Sequence, residues 1–252
     1  MTSSELAVVV MAGFLSGVIK NGVGVGGGVF LLPALALMFP PKLALALGAP
    51  LLLASDAIGL RYYWQEWMER GKLVRLLLAA VPGFLVGTML VTTVPVKEFK
   101  FGVGLFGSLY ALFQLFPNFA PFTLFKRQFV RATALFAEKQ VYFYGLLGGV
   151  ASVVAHAGGL VWSLYLMSEV REKRIFVGTT IVVFLLSDAY KTVAFLYIGL
   201  LSPEALFAVL PAIPAVWMGS AVGNLANMRM RDTMFRTLVL AVILLVSLKL
   251  FF

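Results

Sequence analysis

The chain has 252 residues, of which 61% are hydrophobic and 12% charged, with a net charge of +9 and no cysteine. Soluble domains carry about 25% charged residues, and no polar stretch here is long enough to form one, so the composition points to a polytopic helical membrane protein. The missing cysteine excludes thiolate metal sites and disulfides, and the positive charge reads as cytoplasmic loop anchors rather than a nucleic-acid surface.

The first residues, MTSSELAVVV, lack a basic n-region and a small-residue cleavage site, so no signal peptide is expected. Leu6–Ile19 reads as a short helix. Seven glycines then crowd the stretch Gly13–Pro33: Gly13, Gly17, Gly22, Gly24, Gly26, Gly27 and Gly28. Each glycine costs a helix about 1 kcal/mol relative to alanine. Lys20–Gly28 is therefore expected to be unwound, with a second short helix over Val29–Phe39. Three apolar helices follow, at 43–64, 73–93 and 98–116. Tyr62, Tyr63, Trp64 and Trp67 suit an aromatic belt at the end of the first. Residues 1–116 make a first unit and 117–140 a linker carrying Lys126, Arg127, Arg131 and Lys139. In the second unit, 141–252, a short helix over Leu160–Met167 precedes helices at 175–198, 203–225 and 233–251.

The two units match at an offset of 132 residues without a gap. Gly13 and Gly17 recur as Gly145 and Gly149, Gly26-Gly27 as Gly158-Gly159, and Ser55-Asp56-Ala57 as Ser187-Asp188-Ala189. Pro82 recurs as Pro214 and Gly87 as Gly219. Each half thus reads as a glycine-broken segment, re-entrant or made of paired short helices, followed by three transmembrane helices. If each broken segment returns to its starting side, one side holds Arg70, Lys72, Arg75, the four linker residues, Arg171, Lys173, Arg174, Arg229, Arg231 and Arg236. The other holds only Lys42, Lys97, Lys100 and Lys249, so basic residues divide thirteen against four. That bias predicts inverted repeats with both termini outside the cytoplasmic membrane. Pro82 and Pro214 are expected to kink their helices.

Chemistry concentrates at the breaks. A helix starting directly after Gly26-Gly27-Gly28 presents bare amides and the positive end of its dipole, a ready anion site. Gly158 and Gly159 precede Leu160–Met167 in the same manner. Lys20 falls within the membrane if its helix is short, where a lysine is costly and commonly functional, and Asn21 beside it offers an amide donor. Gly22 and Gly24 complete the candidate anion-binding stretch. His156, the one histidine, replaces Gly24 in the repeat and could donate to an anion or carry a proton. Lys191 lies three residues after Asp188 on one helix face; it either pairs with Asp188 or contacts the anion while Asp188 holds it. Asp56 has Gly59 at the matching position, which leaves pairing with Lys20 or Lys191, or protonation. Ser55 and Ser187 precede the two aspartates as coupling or structural polar groups.

The stretch GFLSGVIKNGVGVGGGVFLLPAL resembles the N-terminal motif of the TauE/SafE sulfite exporter family, a G-x-x-x-G followed by G-x-G-G-G and a proline. Gly13, Gly17, Gly24, Gly26, Gly27, Gly28 and Pro33 carry the match. The second half departs from it, with Leu160 for Gly28, His156 for Gly24 and Tyr165 for Pro33. The resemblance implies export of sulfite or organosulfonates across the cytoplasmic membrane. Outward movement of a negative charge is favoured by an inside-negative potential by about 2.3 kcal/mol per 100 mV, and the sequence has no P-loop. The expected protein is a secondary transporter with no metal or cofactor. Its partners would be a small anion and the bilayer, with a proton as candidate coupling ion and a second copy as candidate partner. The alternatives are a passive anion channel, or an intramembrane aspartyl protease using Asp56 and Asp188.

Overall fold

The computed structural model describes residues 2–24, 26–115 and 139–229, together with 241, 244, 245 and 248. All regular structure among the described residues is helical. Helix α1 spans Ser3–Val23, longer at both ends than the sequence suggested. Its start is a capping box: the Thr2 hydroxyl accepts from the Glu5 amide at 3.2 Å, and the Glu5 carboxylate accepts from the Thr2 amide at 2.7 Å. At its end Gly24 turns left-handed (φ 83°), and its amide bonds the Lys20 carbonyl at 2.8 Å.

Lys20, Asn21 and Gly22 are therefore helical, which corrects the expectation of unwound backbone from Lys20 onward. Tertiary contact overrides glycine's low propensity here: the Gly22 carbonyl accepts from Asn227 Nδ2 at 2.6 Å. With 21 residues α1 is about 31 Å long. A short helix thus does not set the depth of Lys20; surrounding protein buries it, at 3% exposure.

Gly26 is also left-handed (φ 102°), and α2 (Gly27–Ala36) follows with every residue buried. At 10 residues, about 15 Å, α2 is too short to cross a hydrocarbon core of about 30 Å. Helices α3 (Pro41–Tyr62), α4 (Arg70–Thr93) and α5 (Val96–Leu115) lie close to the expected ranges. Tyr63 does not join the aromatic belt: it is fully buried, and its hydroxyl donates to the Asn21 carbonyl at 3.3 Å.

In the second half α6 (Gln140–Ala155) and α7 (Gly158–Glu169) flank a break of two residues, and α8 (Lys173–Tyr197) follows. The single helix expected at 203–225 is divided into α9 (Pro203–Val209), a 3-10 turn over Leu210–Ala212, and α10 (Ile213–Arg229). Pro214 has no amide to bond the Leu210 carbonyl, so the chain tightens there, whereas Pro82 sits inside an unbroken α4. The expected helix at 233–251 falls outside the described residues except at the four positions named above. Lys126, Arg127, Arg131, Arg231, Arg236 and Lys249 fall outside them altogether.

Among the described residues five segments are long and apolar enough to cross a membrane: α1, α3, α4, α8, and α9 with α10 taken together. Helix α5, with Lys97, Glu98 and Lys100 near its start, is not among them. The molecule is a multi-pass helical membrane protein.

The two halves are packed through each other. The most extensive helix contacts are α1 on α10 and α4 on α6, each joining one half to the other. Both seams are lined with glycine. A Cβ at Gly17 would meet the Val216 carbonyl, and one at Gly219 the Phe14 carbonyl; in the other seam Gly149 abuts the Ala80 carbonyl and Gly83 the Leu146 carbonyl. Small residues at this spacing let backbones close up where hydrocarbon supplies no hydrophobic drive. Gly17 and Gly149 are repeat partners, and each meets a carbonyl of the corresponding helix of the other half, Val216 and Ala80, one helical turn apart in the register of the repeat.

Candidate functional site

The two breaks meet in the interior. A Cβ on Gly28 would lie 2.6 Å from the His156 carbonyl oxygen and 2.7 Å from its Cβ, so only glycine lets the breaks touch. The first intrahelical bond of α2 runs from the Phe30 amide to the Gly26 carbonyl at 2.9 Å. The amides of Gly27, Gly28 and Val29 therefore have no acceptor within the helix. In α7 the Leu160 amide bonds the Ala157 carbonyl at 3.0 Å, and the Gly158 and Gly159 amides precede it. His156 itself is left-handed (φ 51°), as Gly24 is in the first half. A non-glycine residue there costs about 1–2 kcal/mol.

Four buried charges gather beside these ends. Lys20 Nζ, on the last turn of α1, lies 2.8 Å from Asp56 Oδ2 of α3 and 3.0 Å from Asp188 Oδ2 of α8. Asp188 Oδ1 faces Lys191 Nζ at 2.5 Å. Lys191 also donates to the Ser152 carbonyl at 3.3 Å and to His156 Nδ1 at 2.8 Å. An ammonium has no lone pair to offer, so Nδ1 must be the acceptor. The proton of His156 then sits on Nε2, which donates to the Leu45 carbonyl at 3.0 Å. The histidine is neutral, with both nitrogens engaged. Asp56 Oδ1 has no hydrogen-bond partner among the described residues.

These groups wall a cavity of about 10 Å³, room for about one water molecule. Its lining comprises Lys20, Gly26, Gly27, Gly28, Val29, Leu52, His156, Gly159, Leu160, Phe184, Asp188 and Lys191. Several walls are repeat pairs: Gly27 with Gly159, Gly28 with Leu160, Leu52 with Phe184. The site is closed, since a sulfur oxyanion needs far more room.

Of the candidate binding residues, Lys20, Gly26, Gly27, Gly28, His156, Gly159 and Lys191 converge on the cavity, and Asn21, Gly22, Gly24 and Gly158 do not. Asn21 Nδ2 turns to Ser55 Oγ at 3.1 Å and to the Gly17 carbonyl at 3.3 Å. Gly22 faces α10, Gly24 faces Val177, and Gly158 lies against Gly148 and Ser152. Ser55 Oγ continues to Ser220 Oγ at 3.2 Å, while Ser187 Oγ meets Ser152 Oγ at 2.6 Å. Both serines tie helices together rather than line the cavity. The sequence reading missed Leu52 and Phe184. Each precedes an aspartate by four residues and so shares its helix face, a signal that was present at both places. Phe184 also lies under Lys20, with the ammonium 4.8 Å from the ring centroid.

The model of the family described as Sulfite exporter TauE/SafE matches residues 9–250. This chain belongs to the TauE/SafE sulfite exporter family. The match runs through both halves, so the second TauE/SafE segment includes His156 and Leu160 where the first has glycine. No curated protein and no solved structure matches the chain. Membership makes this a membrane transporter of the sulfite-exporter type rather than an enzyme. Among the described residues no cluster of histidine and carboxylate side chains is arranged to hold a metal.

Proposed function

We propose that this TauE/SafE protein carries sulfite or an organosulfonate out across the cytoplasmic membrane, with the anion held between the two breaks. The observation that carries the reading is the meeting of two bare helix starts beside two buried ammoniums, Lys20 and Lys191. Backbone amides and a dipole end attract a small anion without side-chain crowding, and the ammoniums add charge. Broken helices at an inter-repeat site are a recurring transporter plan.

On this reading the halves are inverted repeats with both termini outside. The two glycine seams, which pair corresponding helices of the two halves one turn apart in register, support the repeat. The loops before α4 and α8, both expected on the basic cytoplasmic face, are joined in the fold. Arg174 grips Glu66 through two bonds of 2.6 and 2.9 Å, and Lys72 meets Glu169 at 2.6 Å.

A protease reading requires Asp56 and Asp188 to share a water, but the Lys20 ammonium bridges them. A channel would show unitary currents in planar bilayers. For a carrier, the test is sulfite and methanesulfonate flux into proteoliposomes. A Cβ at Gly27 would lie 2.8 Å from Lys20 Cβ and 2.9 Å from the Ser16 carbonyl. Gly27→Leu should therefore reduce flux at least about tenfold, as overpacking costs about 1–3 kcal/mol. Wild-type protein that carries neither anion contradicts the proposal.

A further inference from the structure

We infer that Asp56 carries a proton together with each anion, so that transport of a monoanion moves no net charge. The inference rests on the anion-transport reading and adds its coupling. Lys20 and Lys191 balance Asp56 and Asp188, and the neutral His156 adds nothing, so the buried cluster sums to zero. A monoanion entering the cavity would leave an unbalanced buried charge, which is expensive unless neutralised. One proton on a carboxylate restores the balance.

The geometry selects the acceptor. Asp188 lies between two ammoniums, and protonating it would strip a partner from both. His156 uses both ring nitrogens, one accepting from Lys191 and the other donating to the Leu45 carbonyl. Asp56 touches one ammonium and shares it with Asp188; neither carboxylate's Oδ1 makes a hydrogen bond, but that of Asp188 faces the Lys191 ammonium whereas that of Asp56 faces none. The titratable groups facing Asp56 are Lys20 of α1 and Asp188 and Lys191 of α8, with His156 beyond Lys191; α2 has none. When Asp56 becomes a neutral carboxylic acid, Lys20 is released toward the anion and keeps Asp188. On exit of the anion, the proton leaves on the same side and the Lys20–Asp56 pair closes again. Leu52, one turn before Asp56, lines the cavity, so α3 joins the proton site to the anion site. The direction of flux is then set by the anion and proton gradients together, an outward anion gradient driving export against any inward proton gradient, and the membrane potential drops out.

The test uses the purified full chain in proteoliposomes, with methanesulfonate as a permanently charged monoanion. Potential is set with potassium and valinomycin, and internal pH is followed with a trapped dye. A uniported monoanion would accumulate about fifty-fold across 100 mV. The inference predicts no accumulation by potential, about tenfold accumulation per unit of pH difference, and one proton entering per anion. Asp56→Asn should abolish proton movement and make the remaining flux respond to potential. Wild-type flux that follows potential without protons overturns the inference while leaving the transport reading intact, whatever the variant does. Proton-coupled flux that persists in Asp56→Asn overturns the choice of residue. Wild-type protein that moves neither methanesulfonate nor sulfite overturns both readings.

Discussion

The break after α1 and the break after α6 occupy the same register of the repeat, yet they are built differently. The first is glycine at the left-handed positions 24 and 26 and at the start of α2. Its described positions offer amides without side chains, and its charge comes from Lys20, one turn back. The second places His156 in the left-handed position and Leu160 where the first has Gly28. Its charge comes from Lys191, which stands opposite Gly59 in the repeat, while Lys20 stands opposite Ser152. One break is thus an open backbone surface and the other a fixed polar wall. The two halves meet in one asymmetric cluster, with each half supplying a lysine from a different helix.

Making the halves alike should break this arrangement. Lys20→Ser copies Ser152 into the first half and removes the ammonium that two buried carboxylates share. Breaking a buried ion pair from one side costs about 3–5 kcal/mol. We expect the largest destabilisation here, read as a lower denaturation midpoint in detergent, together with loss of flux. Gly28→Leu copies Leu160 and drives a side chain into the His156 backbone. It should separate the two breaks at a cost of about 1–3 kcal/mol and remove flux. Unchanged transport would show that the breaks need not touch.

The smallest expected effect comes from the converse change. His156→Gly restores the residue type of Gly24 and relieves the left-handed backbone, whereas His156→Ala removes the same two hydrogen bonds without relief. The glycine variant should be the more stable by about 1 kcal/mol, with both showing weaker anion transport. Equal stabilities would mean that the backbone at 156 is not held left-handed.

That each half contains a break was legible because glycine, aspartate and proline recur in one register, but the extent of the first was not: Lys20–Val23 and Gly27–Gly28, expected to be unwound, are helical. The pairing of Asp56 with Lys20 was among the arrangements the residues allowed. What the sequence could not show depends on contacts between distant segments. Helix α1 continues through Gly22 because Asn227, far along the chain, bonds its carbonyl. Asn21 turns from the cavity because Ser55 accepts its amide. Tyr63 is buried because the loop before α4 packs on α8: the Met68 amide donates to Thr179 Oγ1 at 2.9 Å. The Lys20 bridge between both aspartates likewise needs α1, α3 and α8 in place together.

The central claim is that a small anion binds where the two breaks meet. Selenite has the shape and charge of sulfite, and selenium scatters X-rays anomalously, so a crystal grown with it would reveal the site directly. The account predicts a selenium peak within about 4 Å of the Lys20 and Lys191 ammoniums, with oxygens at hydrogen-bond distance from the Gly27 and Gly28 amides. A second groove lies between the loops before α4 and α8, lined by Lys72, Glu169 and Arg171 among others; a selenium peak only there, with the interior cluster unchanged, would contradict it.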